Sequence, residues 1–263
     1  MTAYPLVLAD SATMLRRNLR RMRRYPSLTL FIAGIPVVLL LLFVYVFGGT
    51  LGAGLGPLAG GRTAYIAYVV PGILLITVAG AAQGTAISVA MDMTEGIIAR
   101  FRTMDIARVS VLTGHVVGSV IQTMLAIVIV MVVALLIGFR STTGPIEWLA
   151  ATGLLVLAAV AISWLSVALG MAANTVETAS NTPMFLILLP FMSSGFVPTG
   201  SMPDGLSWFA EHQPFTPLIE AERSLLLGTP MGDNGVLAVG WCIVISVLGY
   251  LWARRLYDRE PAS

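Results

Sequence analysis

The stretch TEGIIARFRTMDIARVSVLTGH, residues 94–115, places three arginines, an aspartate and a glutamate between two long apolar runs. Read at a helical period, Ile97, Phe101 and Met104 form one stripe, with Ile98 beside it. Arg102, Asp105 and Arg108 follow one another at spacings of three, pairs that favour a helix by about 0.2–0.5 kcal/mol each. Gly96 inside that helix would cost about 1 kcal/mol relative to Ala, so it marks a bend before a short transverse helix. Five polar residues would suffice for a reversal at a membrane surface. The side of the membrane on which this patterned segment lies sets the topology of the whole chain.

Working outward, 57 % of the 263 residues are hydrophobic and 11 % are charged, against roughly 25 % charged in an average soluble domain. The expected class is an all-α integral membrane protein. A bilayer core takes about 20 apolar residues as a helix, and six segments qualify: Leu30–Phe47, Ala64–Met91, Val111–Phe139, Trp148–Ala173, Pro183–Val197 and Val236–Ala253. The fifth is short and bears Pro183 and Pro190, with Pro198 just beyond it. Arg16, Arg17, Arg20, Arg21, Arg23 and Arg24 precede the first segment. Arg100, Arg102 and Arg108 lie between the second and third, and Arg254, Arg255 and Arg259 close the chain. The opposite side holds only Arg62, Arg140 and Arg223. The positive-inside rule then places both termini and residues 92–110 in the cytoplasm, and residues 198–235 outside. The first apolar run follows a long basic stretch and is too long for a signal-peptide core, so it reads as an anchor.

The chain contains no lysine. A phosphate-binding P-loop needs the lysine of GxxxxGK[ST], so no standard P-loop ATPase is expected here. The single cysteine, Cys242, excludes an internal disulfide and a thiolate metal cluster. His115 and His212 are far apart and show no metal-ligand spacing. Nothing points to nucleic acid. The membrane segments show no ionisable group at mid-depth, with Asp92, Glu95, His115 and Glu147 near their ends and the neutral Gln83 and Gln122 inside. Ion-coupled transport needs such groups, so energy is expected to enter through a partner. A secondary transporter or channel independent of ATP is the alternative.

Residues 11–24 read as an interfacial helix within a cytoplasmic segment 1–29. Leu15, Leu19 and Met22 form its stripe, and arginines including Arg16, Arg20 and Arg23 its basic face. It serves as a surface anchor, or also meets a cytoplasmic partner. Gly80-x-x-x-Gly84 and Gly114-x-x-x-Gly118 are small faces for close helix approach, within the chain or between chains. Pro71 and Pro190 should loosen their helices. Around Pro190, Phe191, Met192, Ser194 and Phe196 suit an adaptable surface for an amphiphilic solute, and equally the packing of a kinked helix. Gln83 joins them as a candidate pathway residue. In residues 202–228, Leu206, Phe209 and Ala210 form one short apolar face, and Leu218, Ala221, Leu225 and Leu226 another. Two short helices follow, a re-entrant hairpin that is a lid or an exit gate.

Three stretches resemble the permease subunits of ABC-type exporters, in the daunorubicin/doxorubicin-resistance branch. They are TEGIIARFRTMDIARVSVLTGH, PGILLITVAGAAQG (residues 71–84) and SSGFVPTGSMPDGLSWFAEHQPFTPLIEAERSLLLG (residues 193–228). Asp105 departs from the resemblance, standing where relatives commonly carry Pro. The resemblance implies a single permease domain with six helices, paired with a second permease chain, identical or similar. It implies two separate ATPase subunits that hold ATP and Mg, with no cofactor and no catalysis in this chain. Glu95, Gly96, Ile97, Arg100, Phe101, Arg102, Met104 and Asp105 would then form the coupling helix on the ATPase. Pro198, Met202, Pro203, Pro214 and Arg223 would form the outer gate. The implied function is export of a hydrophobic or amphiphilic drug, natural product or lipid across the cell membrane.

Overall fold

The computed structural model describes residues 26–53, 61–94 and 108–259. Among these every regular element is helical. The first span is α1 (Pro26–Leu42), which runs through a π-helical turn, Phe43–Phe47, into α2 (Gly48–Ala53). Then come α3 (Gly61–Thr94), α4 (Arg108–Leu136) and α5 (Pro145–Ala172). The short helices α6 (Val176–Asn181), α7 (Met184–Phe191), α8 (Asp204–His212) and α9 (Phe215–Leu227) precede α10 (Asn234–Arg259).

Five helices are long and apolar enough to cross a membrane: Ile32–Gly52, Gly61–Thr94, Leu112–Leu136, Pro145–Ala172 and Asn234–Asp258. They match five of the six apolar runs. The run at Pro183–Val197 forms no helix of that length. Pro183 has no N–H to donate, so the chain makes α6 and α7 in series, joined through Thr182 and Pro183, both right-handed. After α7 the Ser193 hydroxyl takes the Pro190 carbonyl (2.5 Å), and residues 192–196 turn. This broken segment still runs beside α3. Gln83 Nε2 donates to Ser180 O (3.0 Å) and Oγ (3.2 Å), and the Tyr68 hydroxyl donates to Ser194 O (2.8 Å). Residues 68 and 83 stand about 22 Å apart along a helix, so the segment lies antiparallel to α3 over that distance.

The core is built around α3 and α5. Most of α3 and α5 is buried, whereas most of α1–α2, α4 and α10 is not. The outward faces of those three are apolar, with Leu30, Ile35, Val128, Val132, Val244 and Leu248 exposed. An aqueous surface is not made this way, and a lipid-facing one is. Several hydroxyl side chains inside the bundle are satisfied locally, as a hydrocarbon environment favours. Thr77, Thr85, Thr123 and Ser166 each donate to the carbonyl four residues earlier. Ser119 of α4 joins Thr85 of α3 (2.6 Å) to Ser163 of α5 (3.0 Å), a three-helix junction. Ser119→Ala should lower stability by roughly 1 kcal/mol, the scale of an interhelical hydrogen bond in a membrane bundle. The shift in unfolding midpoint of the solubilised protein measures it.

Close backbone approach does not fall on the first of the two glycine pairs, Gly80 and Gly84. A Cβ on Gly80 would meet nothing within 4 Å among the described residues, and one on Gly84 only Ile32 Cδ1 at 3.8 Å. The tight crossings use Gly72 on Gly195, Gly170 on Ala86 and Gly249 on Leu165.

Candidate functional site

The candidate coupling residues Glu95, Gly96, Ile97, Arg100, Phe101, Arg102, Met104 and Asp105 lie outside the described residues, as do Leu15, Arg16, Leu19, Arg20, Met22 and Arg23 of the expected interfacial helix. The two helices that flank residues 95–107 are described. Near the end of α3 and the start of α4, Asp92 Oδ2 stands 3.1 Å from His115 Nε2, both side chains buried. The sequence treats these as two unrelated end residues, and the fold draws them together. Beside them Val89, Leu112, Val116, Val167, Ala253 and Tyr257 form a separate inner core.

At the outer end a denser polar site forms where α9 returns into the bundle. Phe215, Leu218, Ile219, Ala221, Glu222 and Leu226 of α9 are all buried, and the helix packs against α3, α5 and α10. Its ends are tied. The Gln213 side-chain oxygen accepts from Phe215 N (3.1 Å), while its Nε2 donates to Leu189 O at the end of α7 (3.3 Å). The last turn gives its carbonyls to the 141–143 loop: Ser141 Oγ donates to Leu226 O and Thr142 Oγ1 to Leu227 O, each at 2.7 Å. Gly228 then ends the helix in the left-handed conformation, φ +69°.

Arg223 is the centre of this site. It is 7 % exposed. Its guanidinium donates to Ser194 O (2.9 Å), to Tyr68 O (3.2 Å) and to Glu220 Oε1 (2.5 Å), and lies 3.9 Å from the centroid of the Tyr68 ring. Three segments that are far apart in sequence meet on one side chain. The Tyr65 hydroxyl adds a contact to Phe196 O (3.5 Å), next to the Tyr68–Ser194 bond. Gly72 makes the approach possible, since a Cβ there would stand 2.8 Å from Gly195 O.

Of the pathway candidates, Ser194 and Phe196 are in this corner and buried. Phe191 stacks on Phe196 (centroids 5.0 Å, planes 7° apart), and Phe196 packs on Phe43 (4.4 Å). Met192 is 39 % exposed. Gln83 lies far down α3, bonded to Ser180. The five are thus spread along α3, with Ser194, Phe196 and Phe191 at one end and Gln83 toward the other. Among the gate residues, Pro198 accepts from Ser201 Oγ ahead of a 3-10 turn, and Met202 is half-buried. Pro203 is exposed before α8, and Pro214 precedes α9. Only Arg223 of this group enters the bundle.

The apolar segments are not the whole interior, because α9, which belongs to none of them, brings two ionisable groups into the bundle. Arg223 is inside, and so is Glu222, which is 0 % exposed with neither carboxylate oxygen hydrogen-bonded. Burial pushes its carboxyl well above the ordinary carboxylate range. The signal for this was present: Phe215, Leu218, Ile219, Glu222 and Leu226 share one stripe at helical spacing, and Glu222 is its centre. No group of three or more His, Cys, Asp or Glu among the described residues is arranged to hold a metal.

The chain matches the ABC-2 type transporter family over residues 11–227, a stretch that closes with the last residue of α9. It is 30 % identical to a daunorubicin resistance ABC transporter permease protein of Streptomyces coeruleorubidus, over 99 % of this chain and 90 % of that protein. It is 25 % identical to a probable doxorubicin resistance ABC transporter permease protein of Mycobacterium tuberculosis, over 69 % of this chain and 68 % of that one.

Proposed function

Since the chain belongs to the ABC-2 type transporter family, as a multi-pass membrane permease of the ABC exporter kind, we propose that it moves a hydrophobic or amphiphilic compound out of the cell, driven by a separate ATPase. The single observation that carries this reading is likeness to a drug-resistance permease over nearly the full length of both chains. In this reading two permease chains form the pathway, and two ATPase subunits supply ATP and Mg. Residues 95–108 are the coupling helix, with Phe101 and Met104 as its anchors. The Arg-rich N-terminal helix flanks the same contact.

The topology that goes with this has six crossings and both termini in the cytoplasm. The broken α6–α7 segment is the fifth crossing. Its support is the antiparallel run beside α3 between Gln83–Ser180 and Tyr68–Ser194. The α8–α9 pair then re-enters from the outer side. Exposed Trp208, stacked on His212 (4.7 Å), suits the membrane interface, and α9 is the element that opens and closes the outer end.

Deleting residues 95–107 tests the coupling assignment. With the chain assembled beside its ATPase in vesicles and daunorubicin as the test amphiphile, ATP-dependent accumulation should fall to background while membrane insertion persists. Unchanged ATP-driven transport in the deletion overturns the assignment. The ion-driven alternative gains one point from Glu222, a buried carboxyl on α9 outside the membrane segments. Transport that stops when the proton gradient is collapsed at constant ATP would favour it.

A further inference from the structure

Glu222 has no role in the reading above. Its two oxygens lack partners, and its neighbour Arg223 is occupied by Glu220, Tyr68 O and Ser194 O. Among the described residues, the elements around α9 offer no free cation in its place. On the outer half of α3, Arg62 is exposed, 5.3 Å from the Tyr45 ring, while the Tyr65 and Tyr68 hydroxyls face carbonyls. The start of α5 has the exposed Glu147. Helix α7 has no titratable side chain. Asp204, Glu211 and His212 of α8 are exposed. The outer half of α10 has Cys242, while Tyr250, Arg254, Arg255, Tyr257 and Asp258 follow in its inner half. An ionised carboxylate in such surroundings is far costlier to hold than a neutral acid.

We propose that Glu222 is a proton site of the outer helix cluster: it holds one proton while α9 is seated among α3, α5 and α10, and gives that proton to the outer water when α9 leaves its seat. This rests on the reading of α9 as the moving outer element. The O–H bond of the acid breaks, the carboxylate keeps the electron pair, and water takes the proton. Once exposed, the carboxyl returns to an ordinary value of about 4.3. The seat is therefore fully stabilised below that pH and loses the stabilisation as pH rises through the higher value of the buried acid. Between the two values unseating becomes easier by roughly tenfold per pH unit.

Cys242 is the chain's only cysteine. It is buried in the same core as Phe215, Leu218 and Ile219 of α9, so its alkylation from outside reports unseating. The permease–ATPase complex in proteoliposomes is treated with a membrane-impermeant maleimide, with and without ATP, at external pH from about 5 to 8. The wild-type rate divided by the Glu222→Gln rate removes the pH dependence of thiol chemistry. That ratio is expected to rise at least tenfold across the range, and Glu222→Asp should keep the rise. A constant ratio overturns the proposal. Infrared spectra of the wild-type permease need no variant: a protonated-carboxyl band from the buried acid is expected at about pH 7, and its absence also overturns the proposal. Failure of ATP to alter alkylation at any pH counts against α9 as the ATP-driven gate, and the pH ratio still decides the role of Glu222.

Discussion

Arg223→Ala is expected to destabilise the permease by about 3 kcal/mol, the low end for removing one partner of a buried ion pair, and to abolish transport. The low end applies because Glu220, the carboxylate left behind, is 31 % exposed and regains water. The rest of the loss comes from the backbone. Ser194 O loses a charged donor at 2.9 Å and Tyr68 O one at 3.2 Å, and donors on charged groups are worth more than neutral ones. Arg223→Lys should recover only part, since one ammonium cannot reproduce a planar fork that serves two carbonyls and a carboxylate. Chemical unfolding of the solubilised protein, alongside daunorubicin transport, measures both effects. An Ala variant as stable as wild type would show that the Tyr68 and Tyr65 hydroxyls hold the 193–196 turn without it.

What the sequence makes legible is what depends on local properties. Five spans follow from length and hydropathy, and α8 and α9 from the period of Leu206, Phe209 and Ala210, then Leu218, Ala221 and Leu225. The Pro183–Val197 run is harder, because proline subtracts hydrogen bonds without saying whether the two halves stay in line. Here they stay right-handed through Thr182 and Pro183. Least legible is where a short amphipathic helix ends up. The stripe containing Glu222 could cover the outer surface or fill a gap among α3, α5 and α10, and only the packing of those helices decides. A charged residue on an apolar stripe is nonetheless a warning, and Glu222 shows it. Asp92 and His115 give the converse case, two end residues whose pairing across α3 and α4 no spacing rule announces.

The same substitution should have opposite signs at two glycines. Gly170→Ala is expected to cost about 1–3 kcal/mol, the usual penalty of overpacking, and Gly170→Leu at least about 3 kcal/mol on the same basis. A Cβ at Gly170 of α5 would stand 2.6 Å from Ala86 O and 3.0 Å from Ala86 Cα. Both are backbone atoms of α3, so the strain cannot be relieved by a side-chain rotation and the two central helices must separate. That separation would also pull on the Ser119 junction, which ties α3, α4 and α5 together. Gly80→Ala meets nothing within 4 Å among the described residues, and gains helix propensity of about 1 kcal/mol. It should therefore be neutral or stabilising. Unfolding midpoints of the two Ala variants, compared in the same detergent, give the result. Equal effects at the two sites would mean that the α3–α5 crossing is looser than its backbone distances imply, and that small residues at positions 80 and 84 matter for contacts beyond a single chain.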